Sequence, residues 1–206
     1  EIDSYYIADA GNLLFKKDSL EPGISKEIAL INANIILESF NKMGCHAFSL
    51  GQKDFSAGLS FVLEASESID FPFISSNIYG LDGELLFDPY VIYETNGLQV
   101  AFVGLSSVFQ SEGIQVKDPI ESLKFTLEDI IPKTDIRILL FSSNNQDMQK
   151  IQAEDLDLDM IIRSRSKRKS LDGGKDIPSY SIGDRGRTLY AFDLEINDSS
   201  IEFIDI

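Results

Sequence analysis

Along this chain the spacing of hydrophobic residues switches repeatedly between the two-residue period of a strand and the 3.6-residue period of a helix, with no internal repeat and no low-complexity linker. That alternation is the strongest constraint on the fold, because strands separated by helices build sheets covered by helices. Residues 4–10 (SYYIADA) read as a short, apolar first strand. After Pro22-Gly23, Ile24, Ile28, Ile31, Ile35 and Ile36 recur at helical spacing, which predicts an amphipathic helix over 24–43, closed by Gly44. Residues 45–50 predict a strand, 51–54 a loop, residues around 56–66 a helix, and 71–76 a further strand. Val91-Ile92-Tyr93 leads into Thr95-Asn96-Gly97 and residues 100–105 lead out, the pattern of a tight hairpin whose two central residues need positive φ. Asp118-Pro119-Ile120-Glu121 announces a helix through Leu123, Leu127 and Ile130 that stops at Pro132. Residues 136–141 are apolar apart from Arg137 and read as a strand buried on both faces. A short helix near 145–153, a strand at 159–162 and two or three antiparallel strands from Tyr180 onward, with Asn197-Asp198 as the last turn, complete a mixed α/β layered domain. No boundary divides it, so residues 1–206 are expected to form one domain.

Composition removes several classes of function. At 43% hydrophobic residues the chain can build a core and is not a disordered acidic tail. No apolar run approaches the roughly 20 residues of a membrane-spanning helix. A single Cys excludes an internal disulfide, and with a single His it excludes zinc fingers, iron–sulfur sites and imidazole clusters. With 34 acidic against 18 basic residues the net charge is −16, which disfavours nucleic acid as a partner and favours solubility or basic partners.

In α/β sheets ligands bind beyond the carboxyl ends of the strands. Four such loops are legible: Gly11-Asn12, Gly51-Gln52-Lys53-Asp54, Ser142-Ser143-Asn144 and Arg163-Ser164-Arg165-Ser166-Lys167. Their order resembles the metal-bearing domain of the 5'-nucleotidase branch of the calcineurin-like metallophosphoesterases. Asp9-Ala10-Gly11-Asn12 is similar to that family's D-A-G-D, and Gly51 to Gly58 (GQKDFSAG) to G-N-H-[DE]-F-D-x-G. Residues 71–107 resemble the family's Pro-containing strand, Asn, variable turn, "PY", hairpin and "GL" strand end. Leu140-Phe141-Ser142-Ser143 stands where the family has a strand ending in S-H, and residues 159–167 (DMIIRSRSK) align without a gap on D-x-I-I-x-G-H-[ST]-H. The resemblance runs in order over essentially all 206 residues. It implies the metallophosphoesterase-like layered sandwich, two central mixed β-sheets flanked by helices, and an extracytoplasmic location. The nucleotide-binding domain that follows in two-domain members is not expected within residues 1–206, and the family's first ligand motif, D-x-H, would lie upstream of Glu1.

The departures fall on the ligands themselves. The family's bridging Asp is Asn12, its Asn ligand is Gln52, the neighbouring His is Lys53, the S-H histidine is Ser143, and the G-H-[ST]-H pair is Arg165 and Lys167. Divalent ions held by this family need carboxylate and imidazole donors, whereas Lys and Arg are cations that repel a metal. The resemblance therefore implies a vestigial site with no catalytic residue, no metal and no cofactor: a catalytically inactive domain acting as a binding or scaffold module. One alternative is a weak metal-dependent phosphoesterase in which Asn12, Gln52, Asp54 and residues upstream of Glu1 hold one ion.

The replacements also concentrate charge. Lys53, Arg163, Arg165 and Lys167 could form a metal-free anion or phospho-ligand site, since guanidinium groups grip such ligands in a bidentate fork. They could instead pair internally with Asp9, Asp54 or Asp159, or reflect drift in loops released from their metals. Five of the 18 bases lie within 163–169. That polarity suits an acidic protein partner or a second copy of the chain, whereas nucleic acid is disfavoured because no aromatics interleave the bases for stacking. Cys45 and His46 are neighbours on a strand and point to opposite faces, so they read as packing rather than as a nucleophile with its base. Gly173-Gly174 and Asp184-Arg185-Gly186-Arg187 read as plain turns.

Overall fold

The structure, a computed structural model, describes residues 5–164, 170–172, 177–181, 191–197 and 200–205. In chain order it runs β1 (Ala8–Asp9), α1 (Ile24–Met43), β2 (Ala47–Ser49), a 3-10 turn (Gln52–Ala57), α2 (Leu59–Ser68), β3 (Phe73–Ile74), β4 (Ile78–Gly80), β5 (Tyr90–Thr95), β6 (Leu98–Ser106), β7 (Ile114–Val116) and α3 (Pro119–Ile130). It continues with β8 (Ile136–Ser142), α4 (Asn145–Ala153), β9 (Met160–Ser164), β10 (Ser170–Asp172), β11 (Ser179–Ser181), β12 (Phe192–Asn197) and β13 (Ser200–Asp205). A six-stranded mixed sheet has the order β10-β11-β9-β8-β6-β5, and a three-stranded parallel sheet the order β1-β2-β3; β4–β7 and β12–β13 form two antiparallel pairs.

Strand alternation explains how the layers stack. On β8, Ile136, Ile138 and Leu140 face the small sheet and pack with Ala10, Ala47, Ile74 and Phe102. Leu139 and Phe141, on the other face, pack with Leu123, Leu127 and Ile130 of α3 and Met148 and Ile151 of α4. β8 is buried along its whole length, as its apolar run required. The outer face of the small sheet is covered by Ala33 and Leu37 of α1 and Val62 and Ala65 of α2. The order is helix, sheet, sheet, helix. Between the sheets, Ser49 Oγ accepts the Leu105 N–H at 3.1 Å.

Local signals place several elements. The Asp118 carboxylate accepts the N–H groups of Ile120 and Glu121 at 2.9 and 3.1 Å, capping α3 behind Pro119. Asn96 and Gly97 lie at φ 51° and 80°, the positive pair that a two-residue turn between Thr95 and Leu98 demands. Gly44 closes α1 in the left-handed conformation.

Elsewhere the structure corrects the sequence reading. The first strand holds only two residues rather than extending over 4–10. The loop at 51–54 and the start of the helix expected near 56 form one 3-10 turn, and Gly58, at φ 99°, separates it from α2. After α3 the chain makes a 3-10 turn, Ile131–Lys133, around Pro132. β11 pairs antiparallel with β10 but parallel with β9, where only antiparallel strands were expected. The largest correction is in α1. Its helix spans the expected residues, yet Ile24, Ile28, Ile31 and Ile35 are exposed and only Ile36 of the five packs inward. Gly173-Gly174, Asp184 to Arg187 and Asp198 lie outside the described residues.

Arg137, the one charge in the β8 run, is buried and fully engaged. Its guanidinium donates to the carbonyls of Asp157 and Thr134 and to the Asp157 carboxylate at 2.8 Å, while its backbone N–H donates to Asp159. No helix of the described residues is long and apolar enough to cross a membrane.

The layering predicts a large difference between two phenylalanines. Phe141→Ala, between β8 and α4, should cost about 3–5 kcal/mol in chemical denaturation, whereas Phe125→Ala, on the exposed side of α3, should stay within about 0.5 kcal/mol.

Candidate functional site

The carboxyl ends of β1 and β2 in one sheet and of β8 and β9 in the other meet at one edge of the sandwich. The link is a set of short hydrogen bonds around Asn12. Its carboxamide nitrogen donates to Ser142 Oγ at 2.8 Å and to Ser164 Oγ at 3.4 Å, and its carboxamide oxygen accepts the Lys53 backbone N–H at 2.9 Å. Ser164 Oγ in turn donates to the Ala10 carbonyl at 2.7 Å. Ser142 and Ser164 are register partners on adjacent parallel strands, so both reach Asn12 from one face of the sheet.

Backbone geometry makes this closeness possible. Asn12 itself sits at φ 60°, a left-handed position that Asn tolerates better than most residues. Gly11, at φ 95°, could carry no side chain, because a Cβ there would stand 2.7 Å from the Ser49 carbonyl oxygen. A Cβ on Gly51 would collide with Ser142 Oγ and come within 2.9 Å of the Asn12 carboxamide. The loops are packed against one another with no room for a methyl group at either glycine.

Asp54 holds this arrangement from beneath. It is fully buried, and its carboxylate accepts the N–H groups of Asn12 (2.7 Å), Gly51 (2.9 Å) and Leu14 (3.0 Å). Burial pushes its pKa up to about 6, and those N–H groups pull it back only in part. Asp9, whose Oδ1 accepts the Gly11 N–H at 2.8 Å, is pushed up to about 7 by burial, with the charge of Asp54 adding to the rise. For an acid whose folded pKa is raised, the folded state binds more protons than the unfolded one between the two pKa values. The contribution of both groups to stability is therefore greatest below the ordinary value of 3.8 and is lost as pH rises through about 6 and 7.

The sequence candidates divide into three groups. Asn12, Gln52 and Lys53 lie together, although Lys53 acts through its backbone N–H and not its ammonium group. Ser143 and Arg163 form a separate pair: the guanidinium Nε donates to Ser143 Oγ at 2.7 Å, and Nη2 to the Ser143 carbonyl and the Asn145 side chain. The alternation of β9 puts Arg163 on the face opposite Ser164, beside the start of α4 rather than beside Asn12. Arg165 and Lys167 lie outside the described residues. The ion pairs among the described residues do not join Lys53 to Asp9, Asp54 or Asp159. Asp159 instead stands 3.7 Å from the Arg137 guanidinium, toward the amino end of β9. Ser142 and Ser164 lie in two of the expected loops but were not among the individual site candidates, and the role of Asp54 as an anchor was not anticipated. The two-residue period of β8 does signal Ser142, which shares the face of Ile136, Ile138 and Leu140 that looks toward β1 and β2.

The family's two-metal site can be tested against these donors. A divalent ion would need several carboxylate or imidazole atoms converging with free lone pairs. Here Asp54 Oδ2 accepts two backbone N–H groups, and Asp54 Oδ1 and the Asn12 carboxamide oxygen accept one each, which leaves few lone pairs free. Among the described residues no group of three His, Cys, Asp or Glu is placed to hold a metal ion. The described residues do not fit the metal pair.

Cys45 and His46 serve packing. Burial pushes the Cys45 thiol up to about 12, leaving it protonated and inert. His46 accepts the Ile7 N–H on Nδ1 at 3.2 Å and lies edge-on between the rings of Tyr6 and Tyr93.

Two outcomes follow for this site. Asn12→Asp removes the donor to Ser142 and Ser164 and brings a second carboxylate to Asp54, so it should destabilise the fold by about 1–3 kcal/mol at neutral pH, and by less in mild acid, as read from urea unfolding. Asp9→Asn should flatten the loss of stability between about pH 4 and pH 8 relative to the parent chain, because the raised carboxyl no longer has to ionise.

No family model matches the chain. By sequence it is similar to the 5'-nucleotidase of Vibrio cholerae, with 28% identity over 130 residues that make up 59% of this chain and 23% of that protein. The match thus spans about a quarter of the curated relative's length. By fold it is similar to the sulfate thiohydrolase SoxB of Thermus thermophilus, with a TM-score of 0.78 at 18% identity over 98% of this chain and 38% of that one. The calcineurin-like phosphoesterase YfkN of Bacillus subtilis superposes with a TM-score of 0.72 at 20% identity, over 97% of this chain and 74% of that one. In fold, and in sequence over part of its length, the chain is similar to the calcineurin-like phosphoesterases on the side of the 5'-nucleotidases.

Proposed function

We propose that this chain is a phosphoesterase-fold domain whose metal centre has been replaced by a closed hydrogen-bond network, and that it acts as a binding or scaffold module rather than as a hydrolase. The observation that carries this reading is the environment of Asn12. At the position of the family's bridging carboxylate stands a neutral carboxamide, with one end bound to the Lys53 N–H and the other to Ser142 and Ser164. A bridging ligand would have to break these bonds and gain charge beside Asp54. Its neighbour in the sequence, Lys53, brings a cation where the family has a histidine.

The metal-free anion site remains a separate reading for Lys53, Arg165 and Lys167. Its original four-residue form is weakened by the engagement of Arg163 with Ser143 and Asn145. An extracytoplasmic location rests on the resemblance to 5'-nucleotidases and belongs with this proposal.

Metal content and turnover separate the readings. After incubation with Mn²⁺ or Zn²⁺ and gel filtration, the chain should carry far less than one ion per molecule and should not hydrolyse p-nitrophenyl phosphate or nucleoside 5'-monophosphates above a no-protein control. Stoichiometric metal together with turnover would overturn the proposal and leave a weak phosphoesterase. A thermal shift with phosphate or sulfate that Arg165→Ala and Lys167→Ala abolish would establish the anion site in place of a pure scaffold.

A further inference from the structure

Helix α1 has two apolar faces. Ala29, Leu30, Ala33, Ile36, Leu37 and Phe40 face the core. At about 100° per residue these six centre on the side opposite Ile24, Ile28, Ile31 and Ile35, which fall within an arc of about 60°. The four isoleucines are 75%, 53%, 58% and 56% exposed. A helix that is apolar on opposite sides is the pattern of an element buried between two bodies, and among the described residues α1 has a body on one side only.

We propose that the outer face of α1 is a dimer interface and that its occupant is α1 of a second copy of this chain. The 4-3-4 spacing of the isoleucines is an a/d seam of the kind that packs against another helix. The seam is also self-complementary. When two copies run antiparallel, Ile24 meets Ile35 of the other copy and Ile28 meets Ile31, which is the symmetry of a two-fold, isologous contact. Antiparallel packing also sets the two helix dipoles in opposition, the favourable arrangement.

Charge points to the same occupant. Two chains of net charge −16 repel each other over most of their surfaces. The seam is flanked by the neutral side chains Ser25, Asn32, Asn34 and Ser39, with Glu27 and Glu38 along one edge. A like-charged copy therefore meets fewer acids here than over the rest of the surface.

The area is adequate as well. Four isoleucines at these exposures present on the order of 400 Å², within the range of functional patches. Two such faces bury about 800 Å² from isoleucine alone, and the flanking polar residues bring the total to about 1,200 Å², where specific interfaces begin. The inference is independent of whether the Asn12 site is active.

Sedimentation equilibrium of the 206-residue chain over a range of micromolar concentrations tests this. The expected result is a reversible monomer–dimer equilibrium. Ile28→Asp and Ile31→Asp, singly, should raise the dissociation constant on the order of a hundredfold or more, with an unchanged circular dichroism spectrum because both positions are exposed. Phe125→Asp, at an exposed apolar residue on α3, should leave the equilibrium unchanged. Oxidation of an equal mixture of Ile28→Cys and Ile31→Cys chains should cross-link the two variants to each other more than either to itself. A chain that stays monomeric throughout, a dimer that survives both aspartates, or equal loss on Phe125→Asp would each overturn the proposal.

Discussion

The buried carboxylate of Asp54 ties the candidate site together. By accepting the N–H groups of Asn12 and Leu14 from one loop and of Gly51 from another, it fixes the segment after β1 against the turn after β2. Everything at this edge of the sandwich depends on that clamp. It holds Asn12 in its left-handed conformation, sets the Lys53 N–H against the carboxamide, and brings Asn12 across to the ends of β8 and β9. The clamp has an electrostatic cost, because a buried carboxyl loses hydration, and the raised pKa values of Asp54 and Asp9 report it.

In a phosphoesterase of this fold, metal ions supply the positive charge that such carboxylates need. Here the backbone N–H groups of Asn12, Leu14 and Gly51 surround the Asp54 carboxylate, and we propose that they serve in place of a metal. A network of this sort satisfies the polar groups at a buried edge between two sheets and stitches those sheets together, since the Asn12–Ser142 bond joins residues from each. The fold is thereby retained while the chemistry that we infer to be lost is replaced by structure. Gly11 and Gly51, with no space for a Cβ, show how tightly the loops have closed.

Much of the architecture was legible because it rests on local rules. Asp118-Pro119 caps and opens α3, Asn96-Gly97 turns the β5–β6 hairpin, and the unbroken apolar run of β8 fits only a strand with both faces covered. What was not legible depends on neighbours that periodicity cannot name. The isoleucines of α1 mark an apolar stripe, but Ala29, Leu30, Ala33, Ile36, Leu37 and Phe40 form a second stripe just as regular in spacing, and periodicity alone does not say which of the two faces the core. Ser142 and Ser164 meet Asn12 only through the parallel register of β8 with β9 and the packing of one sheet on the other. Lys53 joins the site by its backbone N–H, a role that no side-chain motif reveals. The residue types in these loops were readable from the sequence alone; the hydrogen-bond network that joins them was not.

The central claim is that Asn12 and its partners close the old metal site. Anomalous X-ray diffraction from crystals of this chain soaked in Mn²⁺ tests it most directly. The account predicts no anomalous peak within ligand distance of the Asn12 carboxamide or the Asp54 carboxylate, with the Asn12–Ser142 hydrogen bond intact. A peak bridging these residues, with the carboxamide turned away from Ser142, would contradict it.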